Sequence, residues 1–336
     1  MHDKIIQYRP TSEELVYTFG GNEPALVVQP GDTLSLFTED AFGGKVRSVD
    51  DIATEKAPRP YVNPQTGPFY VEGAEPGDTL AIHLIDIQPA RDWGVSTISA
   101  NFGSLVGTPQ TANLQPTLPY RTWIYQVDRE QQAVIYQARD SDFTTRLPLD
   151  LFLGTIGVAP PPFEVRSALV PDAFGGNMDS SEVRAGVTIY LGVNVPGALF
   201  SIGDGHYAMG DGEACGVAVE GATNTLLTID LLKGVVCPWP RFETDTEIMV
   251  AGSTRPLEDA FRIAHTQLIH WVEETGLSTL DTYQLISQTV RSTIANVVDP
   301  NYTVVAKVAK RFLPQHPWMN ETHAKLRDLG QQLLSA

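Results

Sequence analysis

The chain has 336 residues, of which 42% are hydrophobic, and this is enough apolar material for the core of one large domain or two smaller ones. Its 40 acidic residues outnumber its 23 basic residues, which gives a formal net charge of −17. So negative a protein repels nucleic acid and anionic membrane surfaces, and we expect neither as a partner. Because no stretch resembles a signal peptide or a membrane span, we expect a soluble, cytoplasmic protein.

Strands dominate the prediction from Thr18 to about Val250. Short apolar or alternating runs are separated there by Gly, Pro, Asn and Asp, which is typical of strands joined by turns. The pentapeptide PGDTL opens two of these strands, at residues 30–34 and 76–80. Its aspartate can accept hydrogen bonds from nearby backbone amides, so we interpret the repeat as a turn used twice. The predicted strands include ALVVQ, DTLSLFT, DTLAIHLIDI, AVIYQA, GVTIYLGV, ALFSIG and TLLTIDLL.

Helical spacing appears only after Arg241. The pattern there predicts four elements: a helix from Pro256 to Gly276, a second helix capped by Ser278 and reaching about residue 298, a strand near residues 303–314, and a helix over residues 319–334. We therefore expect a mainly β protein with an α/β part. A β-rich domain would cover residues 1–240, and an α/β C-terminal region with two packed helices would cover residues 241–336 and pack on it.

Residues 200–216, FSIGDGHYAMGDGEACG, concentrate acids around one histidine. In an extended backbone, residues two apart point to the same side, so Asp204 can accompany His206 and Asp211 can accompany Glu213. A turn at Gly210 would bring the two pairs into one cavity, and the neighbouring glycines allow such a turn.

Crowded carboxylates repel one another unless a cation compensates them. One imidazole with two or more carboxylates suits zinc, whereas an all-oxygen set would favour calcium or magnesium. Two alternatives stay open: a solvated glycine-rich hairpin, and a β-sandwich binding module that holds structural calcium without catalysis.

Two further segments place acids beside paired glycines. PDAFGGNMDSS, residues 171–181, sets Asn177 and Asp179 two apart, although an ordinary turn stabilised by these side chains would look the same. TEDAFGG, residues 38–44, ends a strand with Glu39 and Asp40, although an exposed hairpin end is an equally simple interpretation.

Taken together, the motifs resemble the acetamidase/formamidase family. The set runs in order over roughly residues 20–312: PGDTL with TEDAFGG, NPQTGPFYVEGAEPGDTL, RDWG, LGTIGVAP, GGNMD, GDGHYAMGDGEACG and VVDPN. The resemblance implies a β-sandwich with a smaller α/β part and a homo-oligomer. It also implies hydrolysis of short linear amides such as formamide and acetamide to a carboxylate and ammonia.

The same resemblance implies roles for individual residues. Asn177 and Asp179 come from GGNMD, and His206, Asp211 and Glu213 from the GDGHYAMGDGE segment. As a hypothesis, Asp179, His206 and one of Asp211 or Glu213 hold a divalent metal, zinc first and calcium second. We assign the metal ligands as Asp179, His206 and Asp211.

Glu213 is our candidate for moving the proton to the leaving nitrogen, and Asp179 and Asn177 complete the catalytic set. Asn177 or the backbone of the Gly175–Gly176 turn would stabilise the oxyanion. Cys215 is a weaker candidate nucleophile because the negative charge around it raises a thiol pKa.

Four residues are candidates for substrate binding: Phe174, Gly176, Tyr207 and Asp40. Phe174, Tyr207 and Met209 stand where family members often carry other residues, and we expect them at the pocket. They suggest a larger or differently substituted amide as an alternative substrate.

Overall fold

Two large β-sheets and a small group of helices form the protein. The computed structural model describes residues 5–106 and 117–335. The strands are β1 (Ile5–Tyr8), β2 (Thr18–Phe19), β3 (Leu26–Val28), β4 (Thr33–Thr38), β5 (Gln65–Val71), β6 (Thr79–Pro89), β7 (Trp93–Ile98), β8 (Arg121–Asp128), β9 (Ala133–Gln137), β10 (Thr144–Pro148), β11 (Phe152–Gly157), β12 (Arg166–Ser167), β13 (Gly175–Asn177), β14 (Thr188–Gly192), β15 (Phe200–Ala208), β16 (Val219–Glu220), β17 (Thr223–Leu232), β18 (Arg241–Glu243), β19 (Glu247–Thr254), β20 (Arg291–Asn296) and β21 (Tyr302–Ala309). The α-helices are α1 (Ala53–Lys56), α2 (Leu257–Glu273), α3 (Thr279–Thr289) and α4 (Thr322–Ser335).

The first sheet has nine strands in the order β1-β4-β17-β6-β14-β18-β19-β21-β20. The second has ten strands: the path β10-β9-β8-β7-β16-β15-β11-β13, with β5 joined to β15 and β3 joined to β5. Most neighbours are antiparallel. Strands β2 and β12 form a separate two-stranded pair.

The two sheets pack face to face around one apolar core. Leu34 and Ile82 of the first sheet lie in the same buried cluster as Phe69, Ile156 and Phe200 of the second. Burying each such side chain contributes about 1.5–3 kcal/mol, so this interface is the main source of stability. The mainly β sandwich that the sequence predicts is confirmed.

Helices α2, α3 and α4 cover the outer face of the first sheet. Trp271 of α2, Ile286 of α3 and Leu326 of α4 share a second buried cluster with side chains of β14, β19 and β21. Gly252 on β19 allows α2 to approach, because a Cβ there would lie 2.5 Å from the carbonyl oxygen of Ala260. The protein therefore has three layers: helices, first sheet and second sheet.

Both PGDTL segments form the predicted turn and each opens a strand. The Oδ2 atom of Asp32 accepts a hydrogen bond from the Gln29 amide at 2.7 Å, and that of Asp78 accepts one from the Glu75 amide at 2.8 Å. The two strands that follow, β4 and β6, lie on either side of β17.

The predicted second helix is too long. It begins after the Ser278 cap, as expected, but ends at Thr289, and Arg291–Asn296 form β20 beside β21. Pairing with the sheet edge satisfies the backbone of this segment, and this outweighs its helical spacing. The strand predicted to reach residue 314 ends at Ala309 and is followed by a short 3₁₀ turn.

The predicted division at residue 240 crosses a continuous sheet. Strands β18 to β21 extend the sheet that β1, β4, β6, β14 and β17 begin. Within the described part of the chain, no helix is long and apolar enough to span a membrane.

A buried chain of polar side chains connects α4 to the first sheet. Nδ1 of His83 and Nδ1 of His323 each lie 2.9 Å from the Thr188 hydroxyl, and Nε2 of His323 lies 3.2 Å from Asp245 Oδ1. Burial lowers the pKa of His83 to about 4 and also lowers the pKa of His323. Both imidazoles are therefore neutral in the folded protein at neutral pH.

Replacing His83 with glutamine should reduce the loss of stability in mild acid. Unfolding returns the His83 pKa to about 6.5, so between about pH 6.5 and pH 4 the unfolded chain binds more protons than the folded chain. The free energy of unfolding therefore falls as the pH falls, by about 2 kcal/mol at about pH 4.5 for one such group. Urea unfolding at about pH 7 and pH 4.5 should show a smaller loss for H83Q than for the wild type. An equal loss of stability in H83Q and the wild type would contradict this prediction. The control is H270Q, which removes an exposed imidazole of α2 and should lose as much stability as the wild type.

Candidate functional site

His206, in the middle of the second sheet, is the centre of a buried cluster of acids. Its ring is fully buried and packs edge-on against Phe152 of β11, with 4.8 Å between the ring centroids. Nε2 of His206 lies 3.4 Å from Asp204 Oδ2, 3.4 Å from Glu220 Oε2 and 3.9 Å from Asp179 Oδ1. Three carboxyl groups thus surround one imidazole nitrogen.

Different elements supply these carboxyl groups. Asp204 lies on β15 with His206, Glu220 lies on β16 directly opposite His206 in register, and Asp179 follows β13. Glu213 lies in the turn after β15, where the preceding Gly212 bridges to Asn296 of β20. The sandwich therefore brings together residues that are far apart in the sequence.

Gly154 of β11 leaves the space that the cluster occupies. A Cβ at this position would lie 2.6 Å from both Asp179 Oδ1 and Asp204 Oδ2, and 2.9 Å from a ring carbon of His206. Any side chain here would displace the acids, so the glycine of LGTIGVAP is a requirement of the site.

Three of the acidic residues have left-handed backbone conformations. The φ angles are +48° at Asp179, +59° at Asp204 and +50° at Glu213. Such a conformation is unfavourable for a residue with a side chain and persists only where the surrounding structure enforces it. These strained positions cluster at one site, which is a feature of functional sites.

Asn177 organises the acids through its side-chain amide. Its Nδ2 donates to Asp179 Oδ2 at 2.9 Å and to Asp299 Oδ2 at 2.8 Å. Its Oδ1 accepts from Asn63 Nδ2 at 2.7 Å and from the Thr155 hydroxyl. Since both amide hydrogens are already used, the amide of Asn177 has no donor left for an oxyanion.

Several polar atoms at the centre have no hydrogen-bond partner. Among the described residues these are both ring nitrogens of His206, Asp179 Oδ1 and Glu220 Oε2. Buried polar atoms are costly unless they are paired. Of these atoms, Asp179 Oδ1 and Glu220 Oε2 lie 3.9 and 3.4 Å from His206 Nε2, and a cation bound beside that nitrogen would give them a partner.

Burial keeps protons on most of these acids. It raises the pKa of Asp179 and of Glu213 well above their usual values, and their negative neighbours add to the effect. It also raises the pKa of Glu220 to about 8 and that of Asp299 to about 7. A cation that bound here would displace protons, so its affinity would increase with pH.

Asp204 and His206 behave as an ion pair. Burial opposes charge on both, but the His206 charge holds the pKa of Asp204 below its usual value. Likewise, burial disfavours the imidazolium, but Glu220 and Asp204 raise the pKa of His206 well above its usual value. No Lys or Arg in residues 5–106 or 117–335 forms an ion pair with any of the five buried acids.

Two sets of side chains have the spacing of a metal site, and both include His206. One is Asp179, His206 and Glu213, and the other is Asp204, His206 and Glu220; within each set the possible ligand atoms lie within 4.8 Å of one another. Either set offers one nitrogen and two oxygen donors, which suits zinc.

A cavity of about 360 Å³ leads to this cluster. Asn63, Asp204, Glu213, Glu220 and Asp299 contribute to its lining. The acids are therefore accessible to a small molecule even though their side chains are almost entirely buried.

Asp211 is not part of this arrangement. Its side chain is exposed, and it lines a second cavity, to which Glu213 also contributes, but not the cavity that leads to His206. The strand ends at Ala208, so the rule that residues two apart share a side does not apply to Asp211 and Glu213. Glu213 turns inward, and Asp211 belongs to neither set of possible metal ligands.

None of the four residues predicted to bind substrate lines the cavity. Phe174 packs in the core against Phe19, and Tyr207 donates a hydrogen bond to the Ala222 carbonyl at 2.6 Å. Asp40 is buried and pairs with Arg91 at 2.8 Å.

Gly176 is closely packed against another part of the backbone, because a Cβ there would lie 2.2 Å from the carbonyl oxygen of Val170. The neighbouring Gly175 amide donates to the Asp172 carbonyl, so it too is unavailable to an oxyanion. Met209 lines the same separate cavity as Asp211.

Four of the acidic and amide residues at this site carry no predicted role. The spacing of Asp204, two residues before His206 on the same predicted strand, could have identified it as a site residue. Asn63 and Asp299 lie in the quoted NPQTGPFY and VVDPN motifs, which mark them only as members of a set. No sequence motif identifies Glu220, since its position opposite His206 depends on the register between β15 and β16.

Comparison with known proteins agrees with the motifs. The chain matches the model of the acetamidase/formamidase family over residues 22–162 and 163–313. It is 38% identical to an acetamidase from Yersinia enterocolitica of known structure, with a TM-score of 0.86 over 94% of this chain and 95% of that one. An acetamidase structure from Bacillus halodurans is 31% identical, with a TM-score of 0.81 over 91% and 98% of the two chains.

A formamidase from Methylophilus methylotrophus is 26% identical over 250 residues, which are 62% of this chain and 61% of that protein. Matches to curated relatives span between 61% and 69% of those proteins' lengths. Since the family model covers most of the sequence, the chain belongs to the acetamidase/formamidase family.

Proposed function

We propose that this protein hydrolyses the C–N bond of linear amides to a carboxylate and ammonia at the His206 cluster, with the help of a divalent metal ion. The supporting observation is that two unpaired buried carboxyl oxygens, Glu220 Oε2 and Asp179 Oδ1, lie 3.4 and 3.9 Å from the unpaired Nε2 of His206. Family membership and relatives named formamidase and acetamidase support the reaction.

The spacing of the donors fits zinc. Two ligands that each lie about 2.1 Å from a tetrahedral zinc are separated by about 3.4 Å. His206 Nε2 lies 3.4 Å from both Glu220 Oε2 and Asp204 Oδ2, so these three residues could hold the ion with small adjustments. A bound zinc ion would supply a water of lowered pKa and a Lewis acid for the amide carbonyl. Calcium fits less well because histidine is a poor ligand for it.

Glu213 is the best-placed residue to move protons. It lines the cavity, is buried, and lies in the turn after β15 beside the cluster. We assign it to accept a proton from the attacking water and to deliver it to the leaving nitrogen, which departs as ammonia. Amide cleavage requires the second transfer because an amide anion is a very poor leaving group.

Asn177 has a positioning role in this proposal. Because its two amide hydrogens go to Asp179 and Asp299, it fixes the direction in which Asp179 faces His206. The orientation of Asp179 therefore depends on two segments: β13, which carries Asn177, and the segment after β20, which carries Asp299.

Replacing Glu213 with glutamine should remove most of the activity. Loss of a proton carrier costs about 10²–10⁴-fold in kcat. Ammonia release from formamide, acetamide and propionamide by purified protein would measure the effect. Asp211→Asn is the matched control: the same change two residues away, on an exposed side chain, should leave turnover near that of the wild type. A large loss in D211N with little loss in E213Q would reverse the assignment.

Removing the metal should lower both activity and stability. Chelation followed by dialysis should abolish ammonia release, and adding back zinc, manganese or calcium separately should identify the ion that restores it. A ligand that binds only the folded state stabilises it by about 2.7 kcal/mol at 100 times its Kd, so the melting temperature should rise with the same ion. Full activity in protein shown to be free of metal would exclude the metal-dependent mechanism.

Replacing Gly154 with alanine should disrupt the cluster. Its Cβ would displace Asp179 and Asp204, so metal binding measured by calorimetry and ammonia release should both fall sharply. Gly210→Ala is the control, since a Cβ there would have no neighbour within 4 Å. Normal metal affinity in a folded G154A protein would show that Asp179 and Asp204 are not needed to hold the ion.

A further inference from the structure

The cavity beside the His206 cluster has an extensive apolar wall. Its polar lining comprises the acids and amides described above together with Thr54, Arg59, Thr97, Ser99 and Asn101. The apolar lining comes mainly from the segment around α1, from the chain after β7 and from the loop before β16, and includes Phe42, Ala57, Val62, Phe102, Leu169 and Val217. Phe42 and Ala57 belong to one buried cluster, against which Val62 and Val217 pack. These four residues therefore form one continuous part of the apolar lining, and Phe102 and Leu169 add to it.

The space is large for the simplest amides. A cavity of about 150 Å³ is enough to hold a benzene ring. At about 360 Å³, this cavity has more than twice that volume. Formamide and acetamide have only three and four heavy atoms, so either would leave most of the apolar wall uncovered.

The polarity of the lining gives a substrate one preferred orientation. A carboxamide group would lie where Asp204, Glu213 and Glu220 enter the cavity, because the reacting groups are there. The rest of the substrate would then face the apolar wall. Burying apolar surface on that wall favours binding, whereas a small amide would leave it in contact with water.

We infer that the site takes primary amides whose acyl part carries an apolar group of about the size of a phenyl ring, bound against Phe42, Val62, Phe102 and Val217. This inference rests on the proposed amide hydrolysis and narrows its substrate class. The residues first suspected of enlarging the pocket, Phe174 and Tyr207, do not line it, and Met209 lines a different cavity.

Phe102 and Val62 are the residues best suited to test this. Phe102 is half-buried, and its ring lies against Gly216, where a Cβ would come within 2.7 Å of it. Val62 is half-buried beside Asn63. Neither side chain contacts His206 or the acids through a hydrogen bond, so both can change without altering the reacting groups.

The test compares kcat/KM for formamide, acetamide, hexanamide and 2-phenylacetamide by ammonia release from the metal-loaded protein. The wild type should prefer the two larger amides by at least about tenfold. Phe102→Ala should lower the ratio of kcat/KM for 2-phenylacetamide to kcat/KM for acetamide by about tenfold or more. Val62→Phe, which fills the cavity, should lower the same ratio further.

The outcomes separate the two proposals. Hydrolysis of formamide and acetamide with no gain for the larger amides would overturn this inference and leave amide hydrolysis intact. Equal effects of both variants on all four amides would show that Phe102 and Val62 do not bind the apolar group of the substrate, and would overturn the inference. If metal-loaded protein releases no ammonia from any amide, the proposed function fails, and the inference fails with it.

Discussion

Burial of five carboxyl groups around one imidazole is the constraint on which this structure depends. Asp179, Asp204, Glu213, Glu220 and Asp299 are each at most 6% exposed, and His206 is the ionisable partner they share. Charges withdrawn from water in this way are costly unless they are paired or neutralised. Protonation neutralises part of this charge, as the raised pKa values of most of these groups indicate. A cation bound to the unpaired atoms at the centre would neutralise the remaining negative charge.

Holding the acids there requires backbone that most sequences avoid. Asp179, Asp204 and Glu213 adopt left-handed conformations that cost about 1–3 kcal/mol each. The sandwich core and the sheet pairing around the site offset this strain. Asp299 follows β20, and Gly212 bridges to Asn296, so the C-terminal part of the chain completes a site that the β-rich part begins. The first sheet likewise continues across residue 240, and residues on both sides of it build the site.

Local pattern was enough to predict the parts of this protein that local forces determine. The PGDTL turns follow from side-chain hydrogen bonds within four residues, and α2 follows from its apolar spacing. His206 and Asp179 were found because glycine-rich motifs mark where acids approach a histidine. Register is a different matter: Glu220 reaches His206 only because β16 pairs with β15 at one offset, which no short motif records. Asp211 was misplaced because the alternation of a strand was carried past Ala208, where the strand ends.

The division of acids between strands and a turn suits the roles proposed for them. His206 lies between Phe152 of β11 and Glu220 of β16, so hydrogen-bonded strands on both sides fix the imidazole and the acids that face it. A metal site needs such fixed donors, because small displacements of a ligand weaken binding. Glu213 instead lies in a turn that is tied to the fold mainly through Gly212 and its bridge to β20. A residue that takes a proton from one atom and gives it to another must face both atoms, and Glu213 faces the cavity in which the water and the amide would lie.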